Sequence, residues 1–227
     1  MNRYRHEYKY LINSQQEQIL MIRAAGVMQR DIHAGENGTY FIRSLYFDDD
    51  WDTCLAENIS GTDPRSKFRI RYYNNDTDLL RLEKKSKTRS MTLKESCVIT
   101  KEECQCFMSG EIPELREDMP QVKKRLFLEM QLRNLKPKVI VTYERVPFIY
   151  AGGNVRVTFD QKITSSSKVE AFLTGDYPVR PILPVGYSVL EVKWDELLPM
   201  HIKEILNMDT MQWSAFSKYS LCRQLHL

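Results

Sequence analysis

Lys67-Phe68-Arg69-Ile70-Arg71-Tyr72 decides the fold. Successive side chains of an extended strand point to opposite faces, so the three cations share one side and Phe68, Ile70 and Tyr72 the other. The same alternation recurs outward in both directions. Downstream, residues 81–87 put Arg81, Glu83, Lys85 and Lys87 together, and Lys94 follows after the turn-like Thr88-Arg89-Ser90. Upstream, residues 39–48 set Ser44, Tyr46 and Asp48 opposite Phe41, Arg43, Leu45 and Phe47, and residues 3–10 separate Arg3, Arg5, Glu7 and Lys9 from Tyr4, His6, Tyr8 and Tyr10. Further on, residues 139–145 end with Tyr143 and Arg145 on one face. Residues 155–160 set Arg156, Thr158 and Asp160 against an apolar set, and residues 187–193 place Glu191 beside Lys193, opposite Leu190 and Val192.

A sheet with one face in water mixes signs with Ser, Thr and Asn. These faces instead repeat Lys and Arg, with a glutamate two positions before a lysine in Glu7-x-Lys9, Glu83-x-Lys85 and Glu191-x-Lys193. Strands of this kind converge on a common space, which predicts an antiparallel β-barrel tunnel whose lumen receives the charged faces. Cations a few ångströms apart repel by roughly 3–4 kcal/mol per pair at an effective dielectric near 20, so such a tunnel is strained when empty and suits a polyanion. The interleaved glutamates relieve part of this, and carboxylate oxygen is the ligand type that Mg²⁺ and Mn²⁺ prefer.

Between the strands the period changes, which makes the class α+β. Ser14 with Glu17 reads as a capping box opening a helix with the apolar stripe Ile19, Leu20 and Ile22. Thr100 with Glu103 reads as a second box, and residues 120–135 as a helix carrying Val122, Leu126 and Met130. Gly152-Gly153-Asn154 is a hairpin turn, and the acidic run 48–52 is a helix N-terminus. Trp213, Phe216 and Tyr219 belong either to an interface or to a packed C-terminal helix.

The 227 residues, 42% hydrophobic and 28% charged, suffice for a large core, most simply one domain over 1–227. Lys and Arg number 33 and Asp and Glu 30, a net +3 that is too mild for a nucleic-acid protein, and cations inside a barrel cannot track a duplex. No apolar run reaches the roughly 18 residues of a membrane span, and Met1-Asn2-Arg3-Tyr4 opens without a signal-peptide core, so the cytosol is expected. Five cysteines in no paired pattern fit reduced thiols; Cys104-x-Cys106 has no second half for a zinc site. Neither a G-x-x-x-x-G-K-[ST] loop nor a G-x-G-x-x-G fingerprint is present, so phosphate is to be held by side chains.

In their order along the chain, Arg5-His-Glu7-Tyr-Lys9-Tyr10, Ser44-Leu-Tyr46-Phe-Asp48, Arg69-Ile-Arg71-Tyr72-Tyr73, Leu82-Glu83-Lys84-Lys85, Tyr143-Glu-Arg145, Val155-Arg156-Val-Thr158-Phe-Asp160, Leu190-Glu191-Val-Lys193 and Phe216-Ser217-Lys218-Tyr219 together resemble one family. It is the polyphosphate polymerase domain of vacuolar transporter chaperone proteins, within the triphosphate tunnel (CYTH-like) metalloenzymes. The resemblance implies a tunnel that moves the terminal phosphoryl of ATP onto inorganic polyphosphate with a divalent ion, Mn²⁺ or Mg²⁺. By position it implies Arg69, Arg71, Lys85, Arg145 and Arg156 as catalytic cations, and Lys9, Lys94, Lys193, Lys218, Tyr143 and Ser217 as substrate-binding. Glu191 is the implied metal ligand, with Glu7 ranked second. The chain departs from larger eukaryotic members in lacking an inositol-phosphate-sensing domain and a membrane segment, so transport is expected to need a membrane partner encoded separately. The alternatives are a triphosphatase of the same superfamily and a non-catalytic module that binds polyphosphate or triphosphate. Phosphoryl transfer is mostly positioning and charge stabilisation, and the end of a phosphate chain is already anionic. With His6, His33, His201 and His226 forming no base constellation, transfer is favoured over hydrolysis.

Overall fold

Alternation at period two builds one antiparallel sheet in the computed structural model, which describes residues 4–35, 37–89, 91–111 and 116–227. Chain order is β1 (His6–Asn13), α1 (Ser14–Val27), β2 (Gln29–Arg30), β3 (Tyr40–Asp48), α2 (Thr53–Ser60), β4 (Arg65–Tyr73), β5 (Asp76–Thr88), β6 (Met91–Ile99), α3 (Lys101–Ser109), α4 (Gln121–Arg133), β7 (Lys136–Tyr150), β8 (Val155–Ser166), β9 (Arg180–Pro181), β10 (Tyr187–Trp194), α5 (Met200–Ile205) and α6 (Lys218–Gln224). Eight strands lie in the order β1-β10-β8-β7-β3-β4-β5-β6, with β2 paired to β7 and β9 to β8. The sheet curls until its two edges meet. Arg5, just ahead of β1, bridges Thr92 of β6 through backbone hydrogen bonds of 3.1 and 3.2 Å.

Curling sends one face of every strand into the lumen and the other out to the helices. Ile70, Tyr72, Leu82 and Ile140 are fully buried in a cluster with Phe107 of α3 and Leu126 and Phe127 of α4. A second cluster packs Tyr10, Phe148, Val157 and Val192 against Leu20 and Ala24 of α1 and Ile202 of α5. The apolar core is therefore a jacket around the barrel, and the lumen is left to the charges. The β7–β8 hairpin turns at Gly153, whose φ of 71° and backbone approach to Leu197 leave no room for a Cβ.

Several sequence readings hold. Thr100 and Glu103 form a capping box at α3, and Val122, Leu126 and Met130 are the buried stripe of α4. Asp48 accepts hydrogen bonds from the Cys54 and Leu55 amides at 2.8 and 3.0 Å, so the acidic run does serve a helix start. Phe216 and Tyr219 are buried around α6, whereas Trp213 is 55% exposed. Among the described residues no helix is long and apolar enough to cross a membrane.

Others need correction. The first capping box is Asn13 with Gln16, because β1 runs on to Asn13 and that side chain reaches the Gln16 amide at 2.9 Å; Glu17 instead accepts from Gln161 at 2.6 Å. The apolar stripe shifts with it: Leu20 and Ala24 are buried, while Ile19 and Ile22 are exposed. Arg3 and Ser90 lie outside the described residues.

Candidate functional site: a cation-lined tunnel

Three cavities of about 190, 70 and 390 Å³ share Glu7 and Lys85 in their walls and run through the barrel as a narrow waist between two mouths. The waist collects Glu7 and Lys9 of β1, Arg69 and Arg71 of β4, Lys85 of β5, Tyr143 and Arg145 of β7, and Glu191 and Lys193 of β10. Ser217 and Lys218, where α6 begins, close it. Lys94 and Arg156 stand in the wall of the wide mouth instead. All of the candidates named from sequence thus face one connected space, in two zones.

Strand pairing explains the convergence. Lys9 lies opposite Glu191 and Glu7 opposite Lys193, so each carboxylate of β1 and β10 has a lysine across the ladder. Arg69 is likewise paired across the sheet with Glu83. Opposite charges on facing positions are the favourable cross-strand arrangement.

Glu83 is the deepest acid, fully buried, with Arg69 at 2.6 Å, Lys94 at 3.2 Å and Arg71 at 3.9 Å. Burial alone raises its carboxyl, but Arg69 and Arg71 outweigh burial and hold it far below the usual carboxylate range. Asp160 is treated similarly: burial is overcome by Arg145, at 2.6 Å, and by Lys218. Glu7 bonds Lys85 at 2.7 Å, with Lys193 at 3.5 Å and Lys9 at 3.6 Å, and these lysines pull it well below its ordinary value against burial. In return, burial pushes the Lys85 ammonium down to about 8, with Glu7 opposing it only in part. Lys193 is driven down chiefly by burial too. Hydroxyls fill the gaps, as Arg69 donates to Tyr46 at 3.0 Å and Arg71 to Ser44 and Tyr143 at 3.0 and 3.1 Å.

The expected strain of an empty tunnel is thereby reduced: Glu83, Asp160 and Asp31, none of them named as site residues from sequence, neutralise the cations around them. Glu83 was legible within Glu83-x-Lys85, and Asp160 within the alternation of β8. Asp31, which holds Arg156 at 2.7 Å, sits just past β2 and carries no periodic signal.

The VTC domain family profile matches residues 4–226. This chain belongs to the VTC domain family. No curated protein matches it significantly in sequence. Among solved structures, this VTC domain is similar to a protein from Bacillus halodurans assigned as an adenylate cyclase, at 15% identity and TM-score 0.55, covering 94% of this chain and 93% of that one. It is also similar to an adenylyl cyclase candidate from Hippeastrum described as having a dominant triphosphatase activity, at 13% identity and TM-score 0.57, covering 100% and 97%. A Pyrococcus horikoshii protein matches at 14% identity and TM-score 0.50, covering 98% and 99%. These likenesses establish the triphosphate tunnel fold for this VTC domain.

A divalent ion fits the donors present. Mg²⁺ binds through one or two carboxylates plus substrate phosphates. Glu191 and Glu7 both reach the Lys193 ammonium, which lies in contact with the first and 3.5 Å from the second, so a cation already bridges the two carboxylates. No group of three metal-ligating side chains occurs among the described residues, which leaves further ligands to the phosphates of a substrate.

Proposed function

We propose that this chain transfers the terminal phosphoryl of ATP to the end of an inorganic polyphosphate chain held in the tunnel. One observation carries this choice: the lumen's acids are already bound to cations. In the waist Glu7 sits on Lys85 and Glu191 lies against Lys193, while Glu83 sits on Arg69 and Asp160 on Arg145, with Glu7, Glu83 and Asp160 held below the usual carboxylate range. Carboxylates held low by paired cations are weak proton acceptors for water, and His6, the histidine in the cavity walls among the described residues, is stacked on Trp194 with ring centroids 5.2 Å apart. A chain-terminal phosphate oxygen needs no such base.

In this reading Arg69, Arg71, Lys85 and Arg145 bind the transferring phosphoryl and stabilise the charge on its oxygens, the main work in this reaction. Lys9, Lys193, Lys218, Tyr143 and Ser217 orient the flanking phosphates in the waist, and Lys94 and Arg156 act at the wide mouth. Glu191, with Glu7, would hold Mn²⁺ or Mg²⁺, which when bound supplies charge neutralisation of phosphate oxygens. Residues 1–227 act as one tunnel domain in the cytosol.

Hydrolysis of a small triphosphate is the second reading, kept because the same fold carries a dominant triphosphatase activity in the Hippeastrum protein. The purified chain is incubated with ATP and Mn²⁺, with and without a short polyphosphate primer, and polymer, ADP and free phosphate are measured separately. Polymer with matching ADP is expected, lost in Glu191→Ala while triphosphate binding is partly retained. Free phosphate without polymer overturns the transferase in favour of the hydrolase, and tight binding with neither product leaves a binding module.

A further inference from the structure

The two mouths of the tunnel differ in how their charges are balanced. At the wide mouth every cation on the rim has an acid: Arg5 has Asp195 at 2.8 Å, Arg156 has Asp31 at 2.7 Å and Lys94 has Glu83 at 3.2 Å. The other mouth is walled by Arg65, Lys67 and Lys87 together with Lys9 and Lys85, under the end of α2 and the segment 213–217, and among the described residues Glu7 is the one carboxylate in its lining. Among the described residues no acid lies within salt-bridge distance of Arg65, Lys67 or Lys87. Arg65 donates to the Thr62 carbonyl at 2.6 Å, and Lys67 reaches the Ser217 hydroxyl at 3.4 Å and lies over the Tyr219 ring, 5.2 Å from its centroid.

Register makes this harder to explain as a solvated rim. Arg65 lies directly opposite Lys87 and Lys67 directly opposite Lys85, two successive like-charge pairs across one ladder, where such pairs are destabilising. Burial and the neighbouring cations hold Lys67 well below its ordinary range, and burial with Arg65 lowers Lys87. Along β4 the same face continues through Arg65, Lys67, Arg69 and Arg71, a cation row about 20 Å long at the rise of an extended strand. A triphosphate is much shorter than that row.

We infer that Arg65, Lys67 and Lys87 form a subsite for phosphates beyond those of a triphosphate, so that this mouth holds the continuing polyphosphate chain and sets a preference for long chains. This rests on the phosphate-tunnel reading above and adds to it the direction in which the chain lies. Arg69 and Arg71 at the waist are already engaged with Glu83 and with hydroxyls, whereas the mouth cations have the larger unmet demand for an anion.

The test is calorimetric titration of the full chain with sodium tripolyphosphate and with size-fractionated polyphosphate long enough to pass both mouths. A long chain can bind in many registers, which inflates its apparent affinity, so the informative quantity is the ratio of the two affinities compared between proteins. Replacing Lys67→Met and Lys87→Met together is expected to cut the long-to-short ratio by about tenfold, in keeping with the loss of charge-assisted hydrogen bonds. Lys87→Arg should retain the parental ratio. An unchanged ratio in the double variant overturns the subsite, as does an equal fall for both ligands. If the double variant does not fold, by circular dichroism, Lys87→Gln at the rim takes its place with the same criterion. A parent that binds neither ligand refutes the tunnel reading itself, whereas a parent that binds tripolyphosphate and prefers no longer chain refutes only the subsite.

Discussion

Glu83→Gln removes one charge from the bottom of the tunnel and leaves the shape of the side chain in place. In the parent, Oε2 takes Arg69 at 2.6 and 2.7 Å, Arg71 stands at 3.9 Å and Oε1 takes Lys94 at 3.2 Å. The Arg69 and Arg71 side chains are 14% and 7% exposed, so they are left as buried cations without a counter-ion; Lys94 is 52% exposed, and its share is screened to well under 1 kcal/mol. Removing one partner of a buried pair costs about 3–5 kcal/mol, and the retained amide oxygen argues for the lower figure. For a chain of this size about 3 kcal/mol corresponds to a Tm lower by about 6–12 °C. An anion in the tunnel takes over the role of the lost carboxylate. Tripolyphosphate should therefore raise the variant's Tm by more than the parent's, by about 3–6 °C if the freed guanidiniums gain tenfold in affinity. Differential scanning fluorimetry with and without tripolyphosphate reads both effects. A variant that melts within about 2 °C of the parent, or equal ligand shifts in the two proteins, would refute the assignment of Glu83 as the internal counter-ion that a phosphate replaces.

Two further outcomes are expected. Lys85, held down to about 8 in the fold against an ordinary 10.5, binds fewer protons folded than unfolded between those values, so it adds stability to the ligand-free chain as pH rises from about 8 to 10.5. A phosphate chain favours the charged ammonium, and tripolyphosphate affinity should fall as pH rises through about 8, with Lys85→Arg flattening that profile in titrations at fixed ionic strength. Cys104→Ser should lower stability by about 1–3 kcal/mol in chemical denaturation, because it puts a hydroxyl into a fully buried apolar site next to Met108, and should leave tripolyphosphate binding unchanged.

The inward face of each strand was legible because alternation is a local property: Lys67, Arg69 and Arg71 fall on one side whatever the strand pairs with. Which strands become neighbours is not local. β1 pairs with β10, nearly the full chain away, and this brings Glu7 against Lys193, while the curl of the sheet brings it to Lys85 of β5. The cations were therefore identified while their balance was not, since the acids that neutralise them come from other elements, Asp31 from a loop and Asp160 from β8. The helix cap misread by one residue has a simpler cause: Asn13, Ser14 and Glu17 all suit a helix start, and only the length of β1 selects among them. Lys67 and Lys87 could be placed on the lumen face from sequence, but that they face other cations required the β4–β5 register.

Among the described residues the edges of the sheet are tied by one backbone bridge, between Arg5 and Thr92, whereas neighbouring strands elsewhere share long ladders. Two hydrogen bonds contribute about 1–3 kcal/mol net, a small part of what holds any other pair of strands. Arg5 adds a brace across the turn of the neighbouring hairpin, from Asp195 at 2.8 Å to the Asn154 carbonyl. Among the described residues the wall along β1 and β6 is consequently the least hydrogen-bonded line in the barrel, and the Arg5 and Thr92 amides should exchange with deuterium far sooner than those of β7 and β8. Parting there turns a closed pipe into an open trough, through which a chain too long to be threaded end-first could be laid in from the side.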